Sequence, residues 1–197
     1  MTGLLPFPLG RTGLIDLSGD EADALWLRPA TASDLGFLLA LYASFRTDEL
    51  SAAPWTAAEK TAFLTDQFQL QHRDFVMRFA DGDFLVVEDP TGPIGRLYLH
   101  ADEEGLLVVD IGLLAKARGK GVAGRLLRWA EERAGSIDAP RLWLHVAPWN
   151  APALRLYRAM GLEVIETGQT SLTMEKRLAV RAEETGAAAN SQSLCGE

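Results

Sequence analysis

Leu113-Leu114-Ala115-Lys116-Ala117-Arg118-Gly119-Lys120-Gly121-Val122-Ala123-Gly124 leads from an apolar run, through a basic glycine-rich turn, into an amphipathic segment. Before it, Leu106 to Leu114 is β-rich. After it, Val122, Leu126, Leu127, Ala130 and Ala134 recur on one helical face, with Arg125, Arg128, Glu132 and Arg133 mostly on the other. The stretch is therefore a strand, a turn and a helix from about Gly121 to Ala134. Amide groups at a helix start are unpaired and carry partial positive charge, and glycines let an anion approach several of them at once. The turn reads as a phosphate cradle; its bland counterpart is a glycine turn that only starts the helix.

Two other phosphate motifs compete. Gly119-x-Gly121-x-x-Gly124 formally matches a dinucleotide fingerprint, but that site needs an acidic residue at the end of the next strand, which here ends in His145-Val146. The nucleoside-triphosphate loop fails because Gly121 stands after Lys120 where Ser or Thr would hold magnesium.

Working outward, Phe84 to Glu88, Ile94 to His100 and Leu106 to Leu114 are strands joined by short turns, Asp89-Pro90-Thr91-Gly92-Pro93 and Ala101-Asp102-Glu103-Glu104-Gly105, which predicts an antiparallel meander. Upstream, Leu25 to Arg28 is a short strand. Thr31-Ala32-Ser33-Asp34 and Thr56-Ala57-Ala58-Glu59 are capping boxes, one before a helix through Phe45 and one opening a helix through Phe63, Leu64, Phe68 and Gln71, with Arg46 to Trp55 as loop. Downstream follow a strand at Arg141 to Val146, a helix from Asn150 to Met160 stopped by Gly161, and strands at Leu162 to Glu166 and Ser171 to Lys176. Residues 1–24 are expected to form an extended leader, 25–178 the domain, and 179–197 a disordered tail. The order β-αα-βββ-α-β-α-ββ gives a mixed α/β class, mostly antiparallel, with one right-handed crossover.

Composition narrows the function. The chain has 197 residues, 48% of them hydrophobic, which is room for one ordinary domain with its own core. Its net charge of −8 argues against a general nucleic-acid binder. The single Cys195 excludes a disulfide scaffold or a four-cysteine zinc site within the chain, and His72 and His100 have no partners at metal spacing. The opening MTGLLPFPLG lacks the positive start of a signal peptide and no apolar run approaches the roughly 20 residues that span a bilayer, so a soluble cytoplasmic protein without membrane contact is expected.

Arg118-Gly119-Lys120-Gly121-Val122-Ala123 resembles the Arg/Gln-x-x-Gly-x-Gly/Ala signature of the GNAT superfamily of acyl-CoA-dependent N-acetyltransferases. Asn150-x-x-Ala153-x-x-Leu156-Tyr157-x-x-x-Gly161-Leu162, with 26 residues between Ala123 and Asn150, is similar to that family's later block, with Leu162 replacing its usual Phe. The resemblance implies a GNAT-like acyl-CoA N-acyltransferase fold, a mostly antiparallel sheet flanked by helices, and direct transfer from acetyl-CoA to an amine on a small molecule, a protein N-terminus or a lysine. The amides of Gly119, Lys120, Gly121, Val122, Ala123 and Gly124 would then hold the CoA pyrophosphate, with Arg118 in the same cofactor site. Ile111, Gly112 and Leu113 would pair with the pantetheine arm, and Asn150 and Tyr157 would complete the cofactor site. The family also implies a possible homodimer.

Transfer needs a base for the amine proton, donors for the oxyanion and an acid for the thiolate. Tyr157, two helical turns after Asn150, corresponds to the family's general-acid tyrosine. His145 in Trp143-Leu144-His145-Val146 stands where relatives that acetylate protein N-termini carry a Glu, and an imidazole of ordinary pKa about 6.5 accepts protons near neutrality. Asp110, just before Ile111, is a second candidate base, and an ordered water a third. A non-catalytic acyl-CoA-binding module is the competing function, with a dinucleotide-binding domain behind it. Trp26, Trp129 and Trp143 read as packing, while Trp55 and Trp149 could line an acceptor pocket.

Overall fold

A computed structural model describes residues 4–8, 13–19 and 24–179, and the tail read over 179–197 lies outside the described residues from 180 onward. Thr31 and Asp34 form the expected box, but the chain makes a single 3-10 turn over Ala32–Asp34 before α1 (Leu35–Ser44) begins. The reason is Arg28 on strand β2 (Trp26–Pro29), whose two terminal nitrogens grip the buried Asp34 carboxylate at 2.7 and 2.8 Å. The stretch read as loop after α1 contains a short helix, α2 (Thr47–Ser51); five polar-leaning residues carry no helical periodicity to detect. Helix α3 (Ala57–Arg78) starts at the Thr56 and Glu59 box as expected and continues past Gln71, because Phe75 and Val76 extend its apolar face onto the sheet.

The meander is β3 (Asp83–Asp89), β4 (Gly92–Asp102) and β5 (Gly105–Leu113). Helix α4 (Val122–Ser136) crosses to β6 (Arg141–Val146), and α5 (Ala151–Ala159) leads to β7 (Glu163–Thr167) and β8 (Leu172–Arg177). With β1 (Ile15–Asp16) they form one eight-stranded sheet, ordered β1-β2-β3-β4-β5-β6-β8-β7, in which only β5 and β6 pair in parallel. This is the mixed, mostly antiparallel class expected. Part of the segment read as an extended leader is seated on the body: β1 pairs with β2, Phe7 packs against Phe84, and Leu5 accepts a hydrogen bond from His72 Nε2 at 2.8 Å.

The two faces of the sheet bury different sets. Leu97, Leu99, Leu106, Val108, Leu142, Leu144 and Val146 meet α4 and α5 in the main core. Phe84, Val86 and Tyr98 face α3. Parallel pairing of β5 with β6 stops after Val108 and Leu144, while β5 continues to Leu113 and β6 to Val146 against β8. A bulge contributes: Leu99 opposes Val108 and Tyr98 opposes Asp110, so Val109 is the extra residue. The strands splay there and open a notch between the two faces.

Candidate active site

The notch holds a cavity of about 180 Å³ lined by Val108 to Ile111 of β5, Leu144 to Ala147 at the end of β6, Asn150, and Tyr157 of α5. The three sequence-predicted catalytic residues, Asp110, His145 and Tyr157, thus share one wall system. They reach it from opposite faces. Tyr157 belongs to the α4/α5 core, whereas Asp110 opposes Tyr98 and lies on the α3 side. His145 alternates with the core residues Leu144 and Val146 and so points to the α3 side as well.

Tyr157 is 6% exposed. Burial, with the nearby Asp110 charge added, pushes its hydroxyl up to about 12, so it keeps its proton throughout the neutral range. Asp110 is paired with the guanidinium of Arg96, which also donates to Gln71 Oε1 of α3 at 3.1 Å. Burial opposes the charge on Arg96, but Asp110 and Tyr98 outweigh it and its pKa stays above the ordinary value. His145 is exposed; its ring stands edge-on to Trp143 at 5.3 Å between centroids, and Nδ1 lies 3.3 Å from Thr173 Oγ1. Asn150 caps α5, its Oδ1 accepting from Ala153 N–H at 3.2 Å.

From the cavity, β5 runs on into the glycine turn. Ile111 is packed at the main core, Leu113 is buried, and a side chain at Gly112 would strike the Phe45 ring at 2.8 Å. Beyond Val108 no strand pairs with the β6-facing edge of β5 among the described residues. Gly119 and Gly121 adopt φ of 72° and 79°, the left-handed region that side chains disfavour, and nothing lies within 4 Å of where their Cβ atoms would be. Gly121 is the N-cap of α4 and no side chain caps it, so the amides of Val122, Ala123 and Gly124 open the helix without a capping acceptor. Arg118 Nε donates to the Leu113 carbonyl at 2.9 Å and its guanidinium lies 5.1 Å from the Phe45 ring centroid, which straps the turn to the strand end. Lys120 is exposed. The turn therefore fits a pyrophosphate: left-handed glycines, an uncapped helix start, and space above them.

Sequence reasoning missed Arg96, Gln71, Thr173 and Glu166, which support Asp110 and His145 from other elements. One signal was available: Arg96 sits inside the apolar run from Ile94 to Leu99, where a charge requires a buried partner. Trp55 lies edge-on to Phe63 at 5.2 Å, and Trp149, beside Asn150, is 70% exposed. Among the described residues no helix is long and apolar enough to cross a membrane.

Three comparisons bear on this site. The model of the Acetyltransferase (GNAT) family matches residues 42–162, which include the notch, the glycine turn and α5. The chain is 29% identical over 143 residues to the uncharacterized N-acetyltransferase YdgE of Bacillus subtilis (strain 168), covering 68% of this chain and 85% of that one. It is 36% identical over 89 residues to the streptothricin acetyltransferase of Streptomyces lavendulae, covering 45% of this chain and 43% of that enzyme. Among solved structures, the PaiA N-acetyltransferase of Thermoplasma acidophilum, crystallised with coenzyme A, superposes with a TM-score of 0.62 at 18% identity, covering 78% of this chain and 99% of that one, a likeness of fold.

Proposed function

Because the chain belongs to the GNAT acetyltransferase family and is an acyltransferase, we propose that it moves an acetyl group from acetyl-CoA directly to the primary amine of a small molecule. The observation that carries this reading is the single notch in which Asp110, His145 and Tyr157 converge, on the strand that leads into the glycine turn. The amides from Gly119 to Gly124 hold the pyrophosphate, and the free edge of Ile111 to Leu113 holds the pantetheine arm. Acetyl-CoA, when bound, supplies the thioester carbonyl.

The residues then divide the proton work. His145 Nε2 takes the proton released as the amine nitrogen bonds to the carbonyl carbon, and the Tyr157 hydroxyl gives its proton to the sulfur as the carbon–sulfur bond breaks. Tyr157 is suited to this because its environment keeps it protonated. Asp110 is committed to Arg96, which favours His145 as the base, while the chain's net charge of −8 favours a cationic amine through steering. A small-molecule acceptor also agrees with the name of the streptothricin enzyme, whose match covers under half of either chain.

Calorimetric titration with acetyl-CoA, and in parallel with NAD, tests the donor. Saturable binding of acetyl-CoA alone is the expected result, followed by thiol release with an amine panel that includes spermidine, streptothricin and a free peptide N-terminus. Folded protein that fails to bind acetyl-CoA returns Gly119 to Gly124 to the status of a turn.

A further inference from the structure

His145, Thr173 and Glu166 form a row across three strands. His145 of β6 lies directly opposite Thr173 of β8, and Thr173 lies directly opposite Glu166 of β7, so all three side chains share the sheet face that carries Asp110. The alignment depends on an irregularity. The β7–β8 register shifts between Val164 and Glu166, making Ile165 the extra residue; without that bulge Ile165 would oppose Thr173 and Glu166 would turn to the other face. The bulge re-aims a carboxylate at a hydroxyl that is itself buried, Thr173 being 8% exposed.

The hydrogen bonds in the row can run in only one direction. Thr173 Oγ1 lies 3.2 Å from Glu166 Oε2 and 3.3 Å from His145 Nδ1. A carboxylate only accepts, and a hydroxyl has one proton to give. The charged acceptor takes it, since bonds to ionised groups are the stronger ones. Thr173 therefore accepts from His145, and in the neutral ring that proton sits on Nδ1. The lone pair is then on Nε2, away from β8. The edge-on contact with Trp143 holds the plane of the ring.

We propose that Thr173 and Glu166 are positioning residues that fix His145 in its Nδ1–H tautomer and so present Nε2 as the acceptor of the amine proton. This rests on the reading of His145 as the base. It goes beyond that reading by assigning the tautomer and naming the two residues that set it. Neither residue touches substrate; each acts through the ring.

Long-range proton–nitrogen NMR of the full, nitrogen-15-labelled chain reads the tautomer directly, at a pH about two units above the ordinary imidazole value of about 6.5. The His145 signals are identified by their loss in His145→Gln. Expected are a protonated Nδ1 and a bare Nε2 in the wild type, retention of that state in Thr173→Ser, and a shift towards Nε2–H in Thr173→Val. Glu166 is exposed, so Glu166→Ala gives the same shift without threatening the fold. Thiol release from acetyl-CoA with spermidine and with streptothricin follows the tautomer: Thr173→Val falls roughly 10-fold or more, because the wrong tautomer puts a proton where a lone pair is needed, and Thr173→Ser keeps the rate. Nε2–H in the wild type, or no change in Thr173→Val and Glu166→Ala, overturns the proposal. Wild-type turnover by His145→Gln removes the base role itself, whatever the tautomer.

Discussion

The turn from Leu113 to Gly124, into which β5 runs on from the notch, and the face that carries Asp110 and His145 are made of different material. The turn is local: a strand end, two left-handed glycines and an uncapped helix start, all within one continuous stretch. What it offers is backbone. The opposite side is assembled from Gln71 of α3, Arg96 of β4, Asp110 of β5, His145 of β6, Glu166 of β7 and Thr173 of β8. What it offers is side chains, held by one another. A site made of backbone tolerates changes of side chain and fails when φ changes; a site made of side chains does the reverse. The proposed donor and acceptor halves should therefore respond to mutation in opposite ways.

Tyr157→Phe gives the largest effect and sharpens the contrast most. It removes the hydroxyl proton on the α5 wall and leaves the turn untouched, so kcat falls by roughly 10²- to 10⁴-fold, the range of a lost general acid. Acetyl-CoA affinity measured by calorimetry stays within about twofold. Equal loss of both would mean that Tyr157 holds the donor instead of protonating the sulfur. Next comes Arg96→Met on the other side. Breaking a buried ion pair by removing one partner costs about 3 kcal/mol, at the low end because Asp110 keeps 20% side-chain exposure. Thermal unfolding measures the cost. A drop of that size with acetyl-CoA binding intact supports two separable halves.

Legibility followed the same division. The turn, α4 and α5 could be read because each signal lies within a few residues: glycines at a helix start, a cap at Asn150, an apolar face repeating every three or four positions. The meander was readable from its short turns. Glu166 and Thr173 were not, because their meaning arises only when β8 inserts between β6 and β7 and a bulge at Ile165 turns Glu166 to the right face. Arg96 was half legible: its apolar neighbours demand a partner, but nothing local names Asp110, 14 positions away. The docking of Phe7 and Leu5 against α3 was hidden for the same reason, since Pro6 and Pro8 signal only an irregular chain and the partners Phe84 and His72 are far along the sequence.

Within the turn the glycines themselves separate. Gly121→Val forces a branched side chain into the left-handed region at φ 79° and costs about 1–2 kcal/mol. Acetyl-CoA affinity falls several-fold as the helix start shifts, while kcat at saturation holds. Gly124 is different. A methyl group there would meet Arg128 Nη1 at 3.5 Å and Leu156 Cδ1 at 3.9 Å, ordinary contact distances, in a helical backbone. Gly124→Ala therefore stabilises the protein by about 0.5–1 kcal/mol. If both variants proved equally damaging to acetyl-CoA binding, close approach by the ligand, and not backbone conformation, would be what requires glycine at both positions.

The smallest effect lies behind the acceptor side, at His72, the neighbour of Gln71. Its ring is buried between Phe68 and Phe7, and Nε2–H donates to the Leu5 carbonyl. Burial lowers its pKa, the Leu5 carbonyl opposes that, and the charge of Arg96 lowers it further. A histidine whose folded value lies below its unfolded value of about 6.5 contributes fully above that pH and loses its contribution as pH falls through the folded value. Acidification should therefore loosen the seat of residues 4–8 before the rest of the fold. His72→Phe keeps the ring packing and removes the titration. Unfolding measured at pH 7.5 and pH 5.5 should show a smaller difference in the variant than in the wild type. Equal differences would place the acid sensitivity in the carboxylates, the paired Asp34 among them, and not in the seat of residues 4–8.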